Sequence, residues 1–271
     1  MYGRVVADNN PEAEMKIVRY EAGGVVGYGA LQDDGSVREL IGSPFGDFSV
    51  GEAVADFNAV RVLPPVEPGK VIGVGLNYTK HIEEIGMNKP EFPMLFMKPN
   101  TSVIGDGDCI VLPKESKQTE YECELTVVIG KNARRVSEGE ALDYVLGYTC
   151  GNDVSERTIQ FPEMKMGAIL VGKGFDTFCP IGPAISTGLD PSDLRLQTRL
   201  NGETRQDGST SDLLFSVPKL VSYISDAMTL QPGDCILTGT PSGVGPIAPG
   251  DVVEIDIEGV GVLRNPVVAE G

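Results

Sequence analysis

Short apolar runs separated by glycine- and proline-rich turns limit most strongly what this chain can fold into. Two runs, 235–238 and 252–257, each follow a Pro-Gly-Asp turn, and the runs 25–31 and 36–41 flank Asp33-Asp34-Gly35. Runs this short are typical of strands, because helices need about ten or more residues. The chain has 34 glycines, 19 prolines and no tryptophan, which favours a turn-rich β protein over a helical bundle. We therefore predict a β-rich α+β fold.

Two segments predict helices between the strands. Ser137 and Glu140 form an S-x-x-E capping box before the apolar stretch 141–146. Ser216 precedes a segment that has Pro218 in its first turn and apolar residues at helical spacing. These helices interrupt the strand pattern without replacing it.

The stretch 63–69, Leu-Pro-Pro-Val-Glu-Pro-Gly, is the best candidate for a domain boundary. Three prolines in a short run favour an extended linker. Before it, residues 17–41 resemble a small β unit, and beyond it stand apolar strands such as 70–74. We predict a small N-terminal β-containing domain over residues 1–66 and a larger domain over residues 67–271.

The charge balance restricts the possible partners. Lys and Arg total 22 against 39 Asp and Glu, so the net charge of −17 argues against nucleic acid and anionic membrane surfaces. A small anionic substrate remains possible if its pocket is locally positive. The five cysteines include no C-x-x-C pair, no segment resembles a signal peptide, and no apolar run reaches the ~18 residues of a membrane helix. We expect a reduced, cytoplasmic protein.

His81 is the only histidine in the chain. A zinc site built on two or three histidines of one chain is therefore excluded. A general base acting near pH 7 must be His81, or a carboxylate or lysine with a shifted pKa. A single histidine is more often a surface residue or one with satisfied hydrogen bonds. Glu84, three positions later, would share its face of a helix.

Glu122-Cys123-Glu124 is the strongest local signal for chemistry. In a strand the two glutamates lie on one face and Cys123 on the other. Paired carboxylates beside an apolar strand suit a hard cation, although such a pair is usually a solvated face. Asp153, in Gly151-Asn152-Asp153, could supply a third oxygen ligand or belong to an ordinary turn.

Several donors follow these carboxylates. Arg157 and Gln160 stand at helical spacing and could present donors to a substrate carboxylate. Lys173 lies between two glycines, which favours a ligand-facing loop but also fits a plain turn. The glycine-rich stretch 238–245 lacks the Gly-Lys-Ser/Thr ending of a P-loop.

The order of these motifs resembles the fumarylacetoacetate hydrolase superfamily, over roughly residues 70 to 268. The motifs that carry the resemblance are Asn77-Tyr78-x-x-His81-x-x-Glu84, Glu122-x-Glu124-Leu125, Asn152-Asp153-Val154-Ser155, Arg157, Gln160, Lys173-Gly174-Phe175-Asp176-Thr177, Pro180-x-Gly182-Pro183 and Thr238-Gly239-Thr240-Pro241-x-Gly243. The resemblance implies a mixed β-sandwich roll in the larger domain, a homodimer, and one Mg²⁺ or Mn²⁺.

It also implies a set of site residues. The implied metal ligands are Glu122, Glu124 and Asp153. The implied catalytic residues are His81 and Glu84, carried on a lid, and Lys173, beside a developing enolate. The implied substrate contacts are Tyr78, Arg157, Gln160 and Thr240. We expect residues 161–171 to set substrate specificity, with Met164 and Met166 as adaptable apolar contacts or as core residues.

The activity that the resemblance implies is metal-dependent hydrolysis of a C–C bond in a 2,4-diketo acid, such as an acylpyruvate or fumarylpyruvate. His81 would take a proton from water, and Glu84 would orient the imidazole. The alternatives on the same site are an oxaloacetate-type decarboxylase and a 2-hydroxyhepta-2,4-diene-1,7-dioate isomerase/decarboxylase. An alternative of another class is a catalytically inert, metal-binding module.

Overall fold

The structure is a computed structural model that describes residues 14–271, so residues 1–13 of the predicted N-terminal domain lie outside the described residues. The strands are β1 Lys16–Ala22, β2 Val25–Leu31, β3 Ser36–Gly42, β4 Phe48–Asp56, β5 Arg61–Leu63, β6 Val71–Gly75, β7 Met94–Lys98, β8 Val103–Ile104, β9 Ile110–Leu112, β10 Thr119–Tyr121, β11 Cys123–Ile129, β12 Val145–Asn152, β13 Ser155–Glu156, β14 Cys179–Ser186, β15 Arg195–Leu200, β16 Glu203–Ser209, β17 Cys235–Leu237, β18 Gly245–Pro246, β19 Val252–Ile257 and β20 Gly261–Ala269. The helices are α1 Thr79–Glu84, α2 Arg157–Lys165, α3 Val171–Gly174 and α4 Val217–Ala227.

The strands form three sheets, and the strand-rich architecture agrees with the predicted β-rich α+β class. The largest has 12 strands, with the order β4-β3-β2-β1-β14-β12-β11-β17-β6-β7 and with β5 and β8 paired to β1 and β14. A five-stranded sheet has the order β16-β15-β19-β20-β9, and a small third sheet has the order β13-β10-β18. The short runs and turns of the sequence therefore predict the class correctly.

The hydrophobic core lies on both faces of the large sheet. Val127 points into a core formed with β15, β19, β20 and α4, whereas Val128 points into a second core with Ile17 of β1. Adjacent strand residues face opposite sides, so β11 is buried along its whole length. This packing gives the mixed β-sandwich that the resemblance implies, and it fixes β11 as a rigid support for the carboxylates.

One predicted helix is wrong and the other is confirmed. Ser137 Oγ donates to Glu140 Oε2 at 2.5 Å, but this bond joins two side chains and caps no backbone N–H. Only one 3₁₀ turn, Ala141–Tyr144, follows before β12 begins. Ser216, in contrast, caps α4 through the Lys219 N–H at 3.5 Å.

The N-terminal strands continue the large sheet, because β1 pairs with β14 through Lys16↔Ser186 and Ile17↔Ile185. The division into domains 1–66 and 67–271 stays a prediction. Within residues 14–271, no helix combines the length and the apolar character that crossing a membrane demands.

Candidate active site

Three buried carboxylates meet where β11 and β12 lie side by side. Cys123 pairs with Asn152 across the two strands, and the Asp153 N–H donates to the Glu122 carbonyl at 3.0 Å. This register brings ligand oxygens of Glu122, Glu124 and Asp153 within 4.8 Å of one another. The Cys123 thiol contacts the Gln197 carbonyl, on the face away from the glutamates that strand alternation predicts.

Two of the three carboxylates have cationic partners. Lys173 Nζ lies 2.8 Å from Glu122 Oε2 and also contacts Asp153 Oδ2. Arg157 Nη2 lies 2.6 Å from Glu122 Oε1, and Lys98 Nζ lies 2.6 Å from Asp153 Oδ1. Burial raises the pKa of the Glu122 carboxyl, but Lys173 and Arg157 outweigh that effect and hold it below its ordinary value. The sequence analysis did not predict Lys98 as a site residue.

Glu124 is the exception, because no cationic side chain of residues 14–271 forms an ion pair with it. Its carboxylate is 2% exposed and accepts the Gly239 N–H at 2.7 Å. Burial, and then the negative charges of Asp153 and Glu122, raise the pKa of this carboxyl well above its ordinary value.

The described residues fit a divalent cation at this point. A buried carboxylate is costly without a positive partner, and no side chain within residues 14–271 forms an ion pair with Glu124. The three possible ligands are all carboxylates, which hard cations such as Mg²⁺ and Mn²⁺ prefer.

Helix α2 places a cation and an amide beside the carboxylates. Arg157 Nε donates to Glu120 Oε2 at 2.7 Å, and its Nη1 donates to Gln160 Oε1 at 2.7 Å. Together with its contact to Glu122, these bonds engage three guanidinium nitrogens. Glu120 is a further site residue that the sequence prediction missed, although it continues the two-residue spacing of Glu122 and Glu124.

Lys173 is carried by a single helical turn, α3, and not by the loop that its flanking glycines favour. A Cβ at Gly172 would stand 2.6 Å from Gln160 N, so α3 can approach α2 only because residue 172 is glycine. The Lys173 ammonium also lies 4.8 Å from the centre of the Phe96 ring. Burial lowers the pKa of Lys173, but Asp153 and Glu122 outweigh it and raise the pKa above its ordinary value.

His81 and Glu84 share one face of α1, as their spacing predicts. His81 Nδ1 lies 3.0 Å from Glu84 Oε2, which directs the other ring nitrogen away from Glu84. The Gly243 N–H donates to Glu84 Oε1 at 3.1 Å and ties α1 to the glycine-rich loop. His81 lines the same cavity as the carboxylates.

The cavity has a volume of about 380 Å³. Of the predicted site residues, those that line it are His81, Glu122, Glu124, Asp153, Arg157, Gln160, Lys173 and Thr240. Glu84 does not line the cavity itself, but it contacts His81, which does. Tyr78 does not reach it, because its ring is fully buried in the main core. Met164 lines the cavity, whereas Met166 is 79% exposed and does not.

The chain is a β-sandwich protein with three adjacent buried carboxylates and a His–Glu pair at one cavity. Comparison with known proteins identifies its family. The family described as "Fumarylacetoacetate (FAA) hydrolase C-terminal" matches residues 70–268, and "Rv2993c-like, N-terminal" matches residues 15–65. The chain belongs to the fumarylacetoacetate hydrolase family, which confirms the resemblance seen in its motifs.

Three similar proteins illustrate the range of relatives. An uncharacterized protein of Archaeoglobus fulgidus is 50% identical over 92% of this chain and 95% of its own. The mitochondrial oxaloacetate tautomerase Fahd2a of Rattus norvegicus is 42% identical over 77% of this chain and 70% of its own. The crystal structure of 2-hydroxyhepta-2,4-diene-1,7-dioate isomerase from Mycobacterium marinum is 42% identical, with a TM-score of 0.86, and covers 95% of this chain and 99% of that one.

Proposed function

We propose that this protein is a metal-dependent hydrolase that cleaves a C–C bond in 2,4-diketo acids. The observation that carries the proposal is that His81, oriented by Glu84, lines the same cavity as three adjacent buried carboxylates. A base beside a cation site is what activation of water next to a chelated 2-oxo acid requires.

Glu122, Glu124 and Asp153 are the proposed ligands of Mg²⁺ or Mn²⁺. When bound, such a cation would hold the carboxylate and 2-oxo oxygens of the substrate and stabilise negative charge on the enolate. Lys173 would add positive charge on the same side, because its ammonium already lies among these carboxylates.

His81 is the proposed base. Its Nδ1 faces Glu84, so the Nε2 atom takes the proton from water, and the Glu84 carboxylate stabilises the imidazolium that forms. The water oxygen bonds to C4 of the substrate, and the C3–C4 bond breaks with its electron pair passing to the enolate. The His81 imidazolium then returns its proton to C3, which gives pyruvate, and the acyl part leaves as a carboxylic acid.

Gln160 and Thr240 are the proposed hydrogen-bonding contacts to substrate, because both line the cavity. Thr240 Oγ1 accepts a hydrogen bond from Gln206 Nε2 at 2.9 Å, which leaves its own hydroxyl proton for a ligand. Arg157 is engaged by Glu120, Glu122 and Gln160, so we propose that it contributes positive potential.

The relatives support a second candidate, namely tautomerisation, isomerisation or decarboxylation on the same site. The rat relative is named an oxaloacetate tautomerase and the Mycobacterium marinum structure an isomerase. Such reactions need no water nucleophile, so His81 would move a proton to or from substrate carbon or would be dispensable.

The test is to incubate the protein and Mg²⁺ with acylpyruvates, oxaloacetate and 2-hydroxyhepta-2,4-diene-1,7-dioate, following enol absorbance and pyruvate release together. We expect pyruvate from acylpyruvates, and a rate about 10²–10⁴-fold lower in His81→Ala. Lys80→Ala is the matched control, because Lys80 is exposed on the same helix. Undiminished cleavage by His81→Ala would refute the role of His81. A spectral change without a new acid would indicate isomerisation.

The inert-module alternative predicts that calorimetry detects acylpyruvate binding without turnover. The homodimer implied by the resemblance also stays a prediction, which sedimentation analysis tests.

A further inference from the structure

The cavity has two chemically different ends. Asp153 and Glu124, at 0% and 2% exposure, form its floor. Apolar side chains form the opening, where Ile85 is 43% exposed, Met87 45% and Phe161 52%. A ligand whose oxygens reach the carboxylate site must therefore place the rest of its chain among apolar groups.

Helix α2 and the segment after it build this apolar end. Arg157, Gln160, Phe161 and Met164 recur at the spacing of one helical face, and all four line the cavity. The face changes from charged to apolar along the helix, from the buried Arg157 to the half-buried Met164. Ile169 adds a further apolar group before α3 begins.

No lysine or arginine of the described lining is free to pair with a second carboxylate. Four carboxylates line the cavity, those of Glu120, Glu122, Glu124 and Asp153. Among the described lining residues, the only lysine and arginine are Lys173 and Arg157. Both already form ion pairs with these carboxylates. Lys98, behind the lining, also pairs with Asp153. A divalent cation would offset the remaining negative charge at the floor, but it would add no positive charge at the opening.

We infer that the substrate is a monocarboxylic 2-oxo acid with an uncharged, apolar tail, which contacts Met164, Ile169, Ile85 and Met87. The inference rests on the proposed function in one respect, namely that the 2-oxo acid end binds at the carboxylate site. It narrows the proposed substrates to acylpyruvates with apolar acyl groups. Fumarylpyruvate and the 1,7-dioate would place a second carboxylate against apolar side chains, where it would lose part of its hydration without gaining a lysine or arginine partner from the described lining.

Binding of two non-cleavable acids tests the inference. 2-Oxohexanoate and 2-oxohexanedioate have the same length and differ only in a terminal methyl or carboxylate group, and neither has a 4-oxo group to be hydrolysed. Calorimetric titration of each acid into the Mg²⁺-loaded protein is expected to show binding of 2-oxohexanoate that is ~10-fold tighter or more. Equal or tighter binding of 2-oxohexanedioate overturns the inference.

Two lysine substitutions on α2 and its cap sharpen the test. Met164→Lys places a cation in the apolar end and should invert the preference toward 2-oxohexanedioate. Met166→Lys adds the same charge at an exposed position outside the cavity and should leave the ratio unchanged. If Met166→Lys changes the ratio as much as Met164→Lys, the preference arises from overall charge and the inference is overturned.

The outcomes separate the inference from the proposed hydrolysis. If the binding ratio is as expected but acylpyruvates yield no pyruvate, the hydrolase proposal fails and the apolar tail stands. If acylpyruvates are cleaved but 2-oxohexanedioate binds more tightly, the apolar tail fails and the hydrolase stands. Binding of neither acid would remove the 2-oxo acid site and both proposals with it.

Discussion

Lys98 and Asp153 form an ion pair closed off from solvent, with Nζ 2.6 Å from Oδ1 and side chains that are 0% and 1% exposed. The lysine also donates to the Val154 carbonyl at 3.2 Å, so both groups are held in one geometry. Removal of one partner from such a pair leaves the other charge buried. Lys98 therefore fixes the position of one of the three carboxylates.

Lys98→Met is expected to lower the free energy of unfolding of the metal-free protein by about 3–5 kcal/mol. Because a divalent cation would restore positive charge beside Asp153, saturating Mg²⁺ should recover part of this loss. Urea denaturation with and without Mg²⁺ measures both effects. Lys219→Met is the control, since the Lys219–Glu138 pair is exposed and its loss should cost far less. Equal losses in the two variants would contradict the importance of burial.

Glu124→Gln should separate metal binding from stability. The amide replaces a buried carboxyl group that forms no ion pair within residues 14–271, and its oxygen can still accept the Gly239 N–H. We expect the metal-free variant to be at least as stable as the unsubstituted protein. We also expect it to lose the stabilisation by Mg²⁺, about 2.7 kcal/mol at 100 times the Kd. Thermal melts with Mg²⁺ and with chelator measure both.

Glu122→Gln is the matched comparison for that variant. Glu122 is paired with Lys173 and Arg157, so the same chemical change breaks two buried ion pairs and should destabilise the metal-free protein. An increase in the stability of metal-free Glu122→Gln would contradict the stabilising role of its two ion pairs. A Glu124→Gln variant that keeps its full stabilisation by Mg²⁺ would show that Glu124 is not the carboxylate that needs the cation.

The sequence suggested that the three carboxylates could meet, whereas their assignment as metal ligands came from the family resemblance. Two-residue spacing places Glu122 and Glu124 on one face, and antiparallel pairing of β11 with β12 returns the chain to Asp153. The His81–Glu84 contact likewise follows from helical spacing. The family resemblance rested on the order of these motifs along the chain, which no single motif reveals.

Other parts of the site depend on contacts that the sequence does not display. Lys98 meets Asp153 across 55 positions, and within its own strand it is a lone lysine after apolar residues. Tyr78 precedes α1 in a motif with His81. However, the Tyr78 ring packs into the main core and does not face the cavity. Ser137 and Glu140 fit a capping pattern, but the residues after them enter β12, because strand pairing prevails over a short helical signal.

Gly172→Ala is expected to lower activity by displacing Lys173. The added methyl group would stand 2.6 Å from Gln160 N, so α3 must move away from α2. A displacement near 1 Å in a catalytic arrangement can cost about 10²-fold in rate. Steady-state kinetics with an acylpyruvate measures the loss. Gly139→Ala, where a Cβ meets nothing within 4 Å, is the control and should retain full activity. An unchanged rate in Gly172→Ala would show that the close approach of α3 is dispensable.

Gly243→Ala should weaken the support of the His81–Glu84 pair. Gly243 has φ of +95° and donates its N–H to Glu84, and a Cβ there would stand 2.4 Å from the Arg205 carbonyl oxygen. The loop must shift, so we expect the Glu84 contact to be lost and kcat for hydrolysis to fall about 10²-fold. Gly250→Ala separates this effect from backbone strain, because Gly250 has φ of +98° with nothing within 4 Å of a Cβ. Both variants should lose about 1–3 kcal/mol of stability from the left-handed backbone, but only Gly243→Ala should change kcat. Equal kcat values for the two variants would mean that Glu84 orients His81 without help from the loop.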